Sequence, residues 1–334
     1  DSVLQLFNDT FGLNFVSYRD GEGDRLCVQI DSLMKKCGKN GQLKMPKVVV
    51  VDEMMTVLEH FSADTFTNAR NVFQFFTMLC SQVEKLIVLD ADIEENDRVY
   101  KFLTEECGRT NIVSVRSNAC TDGNDYYELS NDDDILSRAE YLMNIGKKVV
   151  IMSNSAKFIQ TIEEQLRTRL PRKRGLALYN EPGHRFDNVS IDGAKARPFR
   201  PNEDTKQLDW FAYSPTLSPG VSITTPFDIV LAHAMASDMT AGVRYWCQMI
   251  RRCRVITMGL VLYKIETVGC KSLSLKRQDV INEITAGSNL LHRDAKFVDT
   301  KWTSDGCTLE DKGYNRNFID NEIEKRKCAI FKHG

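Results

Sequence analysis

The hydrophobic positions of this chain fall into two successive series of short apolar runs alternating with longer amphipathic stretches. In the first series, residues 13–18 (LNFVSY), 26–30 (LCVQI), 48–51 (VVVV) and 85–90 (KLIVLD) read as strands. Residues 66–83 carry apolar positions at helical spacing, and a helix at 96–107 and a strand at 111–115 (NIVSV) continue the alternation. Four β-branched residues in a row at 48–51 predict a strand buried on both faces of a parallel sheet. The polar stretch 117–134, with Asp132, Asp133 and Asp134 in a row, reads as an interdomain link and the capped start of the next helix. The second series runs helix 134–145, strand 147–152 (KKVVIM), helix 155–169, and strands at 174–179, 208–213 (LDWFAY) and 227–233 (FDIVLAH). A helix at 238–252 and a strand at 254–264 complete it. Residues 180–206 are polar and contain Pro and Gly, the composition of a loop or insertion. Beyond about 270 the pattern turns helical and charged, notably at 316–330. Alternating β and α predicts an α/β fold with parallel sheets. The expected domains are 1–128, 129–268 and a mainly helical extension at 269–334.

Composition narrows the class. With 334 residues the chain is long enough for two cores. Hydrophobic residues at 42% and charged residues at 27% describe an ordinary soluble globular protein. A net charge of −2 removes any global positive field, so a nucleic-acid surface has to be local. The richest basic run is RTRLPRKR at 167–174, which suits a solvated helix end as well as a phosphate contact. None of the ten cysteines forms a CxxC pair and the five histidines are not at ligand spacing with them, so a zinc site is not expected. Their apolar surroundings suit reduced thiols of an intracellular protein. No run is long enough to span a bilayer, so no membrane partner is expected.

The polar residues that end the strands carry the chemistry. Asp52 and Glu53 follow the buried run, where ligands bind in open α/β sheets. One carboxylate suits a hard cation such as Mg²⁺ and its neighbour can orient a water for attack on a phosphate. The pair alone equally describes an acidic helix start after a core strand. Asp90, Ala91 and Asp92 follow the next strand, and Gln29, Asp31, Ser32 and Leu33 follow the second. In the second series come Ser153 and Asn154, then the loop YSPTLSPGVSI at 213–223, whose Ser214, Thr216, Ser218 and Gly220 offer hydroxyls and approachable backbone for a phosphate. Finally, Gln248, Arg251, Arg252 and Arg254 in QMIRRCR gather guanidinium groups within two helical turns, as an arginine finger requires, although arginine-rich helix ends are commonly solvated or salt-bridged.

In this order, QIDSL, VVVVDEMMTVLEHF, LDADI, YSPTLSPGVSI and YWCQMIRRCR resemble the segments of superfamily 2 helicases, and more narrowly the herpesvirus-type replication origin-binding protein helicases. The resemblance covers about residues 13–264 and extends weakly into NRNFIDNEIEKRK. It implies two tandem RecA-like domains, the first truncated at its N-terminus, that hydrolyse ATP with Mg²⁺ at an interdomain cleft and act on DNA in replication, alongside other replication proteins. Under it, Asp52 coordinates Mg²⁺, Glu53 activates the attacking water, and Asp90 and Asp92 couple hydrolysis to domain movement. Ser32, Ser153 and Thr216 touch the nucleic-acid backbone, Gly220 turns beside the nucleotide, and Gln248, Arg252 and Arg254 face the γ-phosphate.

The sequence departs from that family at three points. There is no GxxxxGK[ST]; Gly38-Lys39 is followed by Asn40 and Gly146-Lys147 by Lys148. In the resembled family the phosphate-binding loop lies upstream of the point where this chain opens, as if inside a helix (VLQLF). The expectation is a fragment that by itself binds nucleotide poorly and hydrolyses it hardly at all. Arg251 stands where helicases usually carry glycine, and Ser222 where many carry an acid. Two other readings stay open: a helicase-like module that binds nucleic acid or scaffolds a replication complex without catalysis, and an unrelated nucleotide-binding α/β protein with a metal at Asp52.

Overall fold

The computed structural model describes residues 8–9, 12–20, 24–36, 45–63, 66, 68–90, 98–115, 123–130, 134–191, 195–217, 221–236, 243–267, 274–290, 300–303, 306–309 and 311–330. The chain divides into two units, one of residues 1–117 with 274–324 and the other of 118–273 with 325–334. The expected separate extension at 269–334 differs from this division, because most of that segment belongs with the first unit.

The first unit begins with two short parallel strands, β1 (Val16–Ser17) and β2 (Leu26–Cys27), followed by a 3-10 helix, Ile30–Lys36. Strand β3 (Val48–Asp52) leads into α1 (Met54–His60) and α2 (Ala69–Gln82), and β4 (Lys85–Leu89) pairs parallel with β3. Then α3 (Arg98–Lys101) runs into a single π-helical turn, Phe102–Glu106. Helix α2 buries Val72, Phe73, Phe76, Leu79 and Cys80, the spacing of one helical face. Phe61 meets Phe73 edge-on at 5.1 Å and Phe76 stacks on Phe102 at 5.8 Å, so an aromatic core backs the strand pair.

Two expectations fail in this unit. The VVVV run is buried on one face only: Val51 is buried, while Val48 and Val50 are 50% and 40% exposed, alongside Ile87 and Leu89 on β4. Alternate residues of a strand face opposite sides, and the helical core packs against only one side of this two-stranded pair. The predicted strand at 111–115 has no regular structure, with Val113 88% and Val115 90% exposed. Its alternation finds no neighbouring strand among the described residues.

The second unit is built on one sheet. Its elements are β5 (Asp125–Glu128), α4 (Ile135–Asn144), β6 (Val149–Ser153), α5 (Ala156–Arg169), β7 (Gly175–Leu178), β8 (His184–Arg185), β9 (Asn188–Val189), α6 (Pro201–Asp204), β10 (Trp210–Tyr213), β11 (Phe227–Ala236), α7 (Val243–Ile250) and β12 (Ile256–Thr267). Six strands pair in parallel in the order β5-β12-β11-β6-β10-β7. Every residue of β6 and β10 is buried, as a central parallel strand covered on both faces demands. Val149, Ile151, Trp210 and Leu231 face the apolar sides of α4 and α5, whereas Val150, Met152, Phe211 and Val230 face Met249 and Ile250 of α7. Asp134 caps α4 by accepting from Ser137 N at 3.1 Å, and Ser155 caps α5 by accepting from Phe158 N at 3.3 Å.

Strand β5 lies inside the polar stretch expected to be a linker. It is an exposed edge strand on β12, so its sequence (DYYE) never needed an apolar face. The insertion at 180–206 holds the antiparallel β8–β9 hairpin and α6.

The last segment of the first unit carries α8 (Arg277–Leu290), a hairpin of β13 (Thr300–Thr303) and β14 (Gly306–Leu309) within the stretch expected to be mainly helical, and most of α9 (Gly313–Ile330). Helix α9 is tied to the carboxyl end of α1. Tyr314 OH donates to Phe61 O at 3.0 Å, and Asn317 and Asn321 donate to Leu58 O at 2.9 and 3.2 Å. The Arg98 guanidinium in turn donates to both asparagine carbonyls. Helix ends leave carbonyls without intrahelical partners, and these side chains supply them in a buried setting.

Gly175 pairs in register with Trp210, and a Cβ built on it would lie 1.7 Å from the buried indole. Gly175→Ala is therefore expected to cost about 1–3 kcal/mol by overpacking, read as a lower urea midpoint. An unchanged midpoint would show that Trp210 has room to move.

Candidate functional site

In the first unit three carboxylates gather at the carboxyl end of the β3–β4 pair. Asp52 closes β3 and is exposed, and Glu53 follows at φ 50°, ψ 57°, in the left-handed region that non-glycine residues rarely occupy. Asp90, just past β4, accepts a hydrogen bond from Met55 N at 2.9 Å and so caps α1 from the neighbouring strand. Glu53 makes no side-chain cap; its Oε2 accepts from Thr56 Oγ1 at 3.2 Å. An acidic helix start would set the Glu53 carboxylate on the helix N–H groups, and here Asp90 has that task. Partial burial holds the Asp52 carboxyl above its ordinary range; a backbone hydrogen bond from Glu53 opposes the shift and the Asp90 charge adds to it.

These are hard oxygen donors of the kind that hold Mg²⁺ through one or two carboxylates together with substrate phosphates. Among the described residues, no group of three or more His, Cys, Asp or Glu is arranged to hold a metal ion by itself. Asp92 lies outside the described residues. Ser32 is buried, and its hydroxyl donates to Tyr18 OH at 3.2 Å. That bond and one from Arg19 lower the Tyr18 pKa.

In the second unit, Ser153 is fully buried at the end of β6. Its Oγ lies 2.7 Å from His233 Nδ1 and accepts from Ser155 N at 3.0 Å. His233, on β11, stacks on Phe158 with ring centroids 3.7 Å apart, and its Nε2 is 3.4 Å from Glu266 Oε2 on β12. Desolvation lowers the His233 pKa against the opposing pull of Glu266. Ser153 is thus the inner end of a polar chain crossing three strands. Its neighbour Asn154 exchanges two hydrogen bonds with the Met235 backbone at 2.8 and 3.0 Å and also lines a pocket of about 590 Å³. Ser214, Thr216, Asn180 and Arg185 share that lining with Ala156 at the start of α5.

The YSPTLSPGVSI and QMIRRCR segments come together. Ile223 N donates to Arg252 O at 2.8 Å and Arg254 N donates to Ile223 O at 2.9 Å. Arg254 Nε donates to Ser222 Oγ at 3.2 Å, and Tyr245 OH donates to Pro215 O at 3.2 Å. Arg252 is buried, its guanidinium 5.9 Å from the Tyr245 ring, whereas Arg251 and Arg254 are exposed. The Gln248 Oε1 is buried without a hydrogen-bond partner among the described residues. Gly220 and Ser218 lie outside the described residues. Sequence reasoning missed His233 and Arg185: the first sits in an apolar strand run and the second in a stretch read as loop, so neither had a local signal.

Raised carboxyl pKa values have a stability signature. With its folded pKa above the unfolded one, Asp52 lowers stability once pH exceeds that folded value, and imposes no penalty below the unfolded pKa. Asp52→Asn is thus expected to raise the urea midpoint at pH 7 and to leave it unchanged near pH 3. A variant that is less stable at pH 7 would show that Asp52 is a structural partner instead.

Comparison with known proteins adds to this geometry. Residues 11–124 match the model of the family described as origin of replication binding protein. A putative replication origin-binding protein of Acanthamoeba polyphaga mimivirus is 25% identical over 276 residues, 77% of this chain and 32% of the relative. An uncharacterized putative helicase of the same virus is 24% identical over 260 residues, 72% of this chain and 24% of the relative. The chain thus spans about a third or less of these relatives. Among solved structures, a Dbp5 variant of S. cerevisiae bound to Gle1 and IP6 matches with a TM-score of 0.46 at 11% identity, over 96% of this chain and 75% of that one. The Mycobacterium smegmatis helicase Lhr bound to ssDNA and AMP-PNP matches with a TM-score of 0.47 at 13% identity, over 84% of this chain and 36% of that one. The matched residues 11–124 hold Asp52, Glu53 and Asp90, and over them the chain is similar to the origin of replication binding protein family.

Proposed function

We propose that this chain is part of an ATP-dependent DNA helicase or translocase of replication. One observation carries the reading: at the carboxyl end of β3, Glu53 is held left-handed while Asp90 caps α1, so the Glu53 carboxylate, which accepts from Thr56, is not spent on the helix N–H groups. Asp52 is the residue suited to hold Mg²⁺, with Asp90 next to it. Bound with the nucleotide, that ion neutralises phosphate charge.

Glu53 orients a water and accepts its proton as the water oxygen bonds to the γ-phosphorus; the bond from that phosphorus to the β,γ-bridging oxygen breaks, and ADP leaves. Arg254, exposed and oriented by Ser222, is the second unit's candidate for countering phosphate charge, since Arg252 is turned inward against Tyr245. Thr216 and Asn154 line the pocket of the second unit and are the candidates for the nucleic-acid backbone. Because that pocket has its own lining, binding of nucleic acid without turnover is the second reading.

The test uses the full-length protein. Glu53→Gln is expected to lower DNA-stimulated ATP hydrolysis by about a hundredfold or more while DNA affinity stays within a factor of about two. Arg254→Ala is expected to lower kcat by about a thousandfold, with Arg254→Lys recovering only part of it. Undiminished hydrolysis in Glu53→Gln would remove the proposed base, and a wild-type protein that binds DNA but shows no hydrolysis would favour the second reading.

A further inference from the structure

The polar insertion at 180–206 contains the β8–β9 hairpin, and three contacts hold it in place, two to the body of the second unit and one within the insertion. His184 stacks on Tyr179 with ring centroids 4.4 Å apart, and its Nδ1 lies 3.4 Å from Glu163 Oε2. Glu163 is a buried carboxylate on α5, itself paired with Arg167 at 2.7 Å. On the other side, Val189 exchanges backbone hydrogen bonds with Arg197 at 2.7 and 3.0 Å. A two-residue strand of this kind would be marginal without such ties.

The residue these ties position is Arg185, next to His184. Asn180 Oδ1 accepts from Arg185 Nε at 3.0 Å and from Nη2 at 2.7 Å, so one edge of the exposed guanidinium is held in place. Arg185 lines the same pocket as Asn154, Ser214 and Thr216, opposite the N-terminal start of α5 at Ala156. Asp187 also lines the pocket and offsets the arginine charge, so attraction there depends on placement more than on net charge.

We infer that Arg185 is a backbone-phosphate contact for a single-stranded nucleic acid, supplied by the β8–β9 hairpin and aimed by Asn180. A guanidinium held along one edge has already lost much of its rotamer freedom, which makes it a strong partner for a phosphate oxygen. The donor set around the pocket is an arginine, an amide and two hydroxyls beside a helix N-terminus, the set that positions a phosphate without reading a base. This inference rests on the nucleic-acid reading of the second unit given above.

The experiment is a titration of fluorescein-labelled oligothymidylate with the full-length protein across about 50 to 200 mM salt. Arg185→Gln is expected to weaken binding about fivefold to tenfold at the low-salt end and to reduce the slope of log affinity against log salt by about 0.7, the loss of one phosphate contact on a single strand. Arg185→Lys, which keeps the charge but not the fork, is expected to keep the wild-type slope with reduced affinity. Unchanged affinity and slope in Arg185→Gln, or loss of slope in Arg185→Lys as well, would overturn the inference while leaving the nucleic-acid reading intact. Failure of the wild-type protein to bind the oligonucleotide at all would overturn both.

Discussion

Parallel strand pairing is the constraint on which the rest of this molecule depends. A parallel pair cannot be closed by a tight turn, so each strand must return through a crossover that covers a face of the sheet. In the second unit the consequence is complete: six parallel strands, two apolar layers, and a centre in which β6 and β10 expose nothing. The polar ends of β6 and β10 then have one place to go, the carboxyl edge, and Asn154, Ser214 and Thr216 meet there. In the first unit the same rule brings Asp52 and Asp90 side by side, because parallel register sets Asp52 opposite Leu89 and thus next to the residue that follows it.

Helix α1 shows how a strained turn is kept. Left-handed geometry at Glu53 costs about 1–3 kcal/mol and persists only where surrounding contacts over-determine it. Asp90 holds the amino end through Met55, and Tyr314, Asn317 and Asn321 hold the carbonyls at the other end. Met54 and Leu58 are wholly buried between these ties. A helix of seven residues has little stability of its own, so these ties and its packed face account for its presence. The last segment of the first unit is thus part of the support for the Asp52–Glu53 turn, although it lies more than 250 residues away along the chain.

Much of this was legible in the sequence where a signal was local. The run VVVVDE gave the strand, its direction and the carboxylates at its end. Periodicity gave α2, α4 and α5, and the aspartate run marked the start of α4, where Asp134 makes the bond its identity suggests. What was not legible depended on neighbours. Nothing in VVVV states whether one face or two will be covered, and nothing in NIVSV states whether a partner strand lies beside it. The strand DYYE looked like a linker because an edge strand needs no apolar face. Ser32 and Ser153 had the right type and position for backbone contacts, yet their hydroxyls are bound inside by Tyr18 and His233, partners distant in sequence. Register decided the second case, since pairing of β6 with β11 sets Ser153 opposite His233.

Several departures from ordinary folding rules lie at strand ends. Core positions of both units obey them: apolar side chains lie inside and the central strands of the second unit are continuous. Four of the exceptions are a left-handed glutamate at Glu53, a carboxylate at Asp52 whose pKa is raised, a buried histidine between Ser153 and Glu266, and an orphaned amide oxygen at Gln248. Each lies in, or bonds directly to, one of the segments that end or follow a parallel strand. Others fall elsewhere: Asn68 is left-handed at the start of α2, and the Thr77 hydroxyl on α2 is buried without a hydrogen-bond partner among the described residues. Natural sequences relax local consistency chiefly where function requires it. Two of the four share a single turn, Asp52–Glu53, where backbone strain and a raised carboxyl pKa coincide with the carboxyl end of a parallel strand.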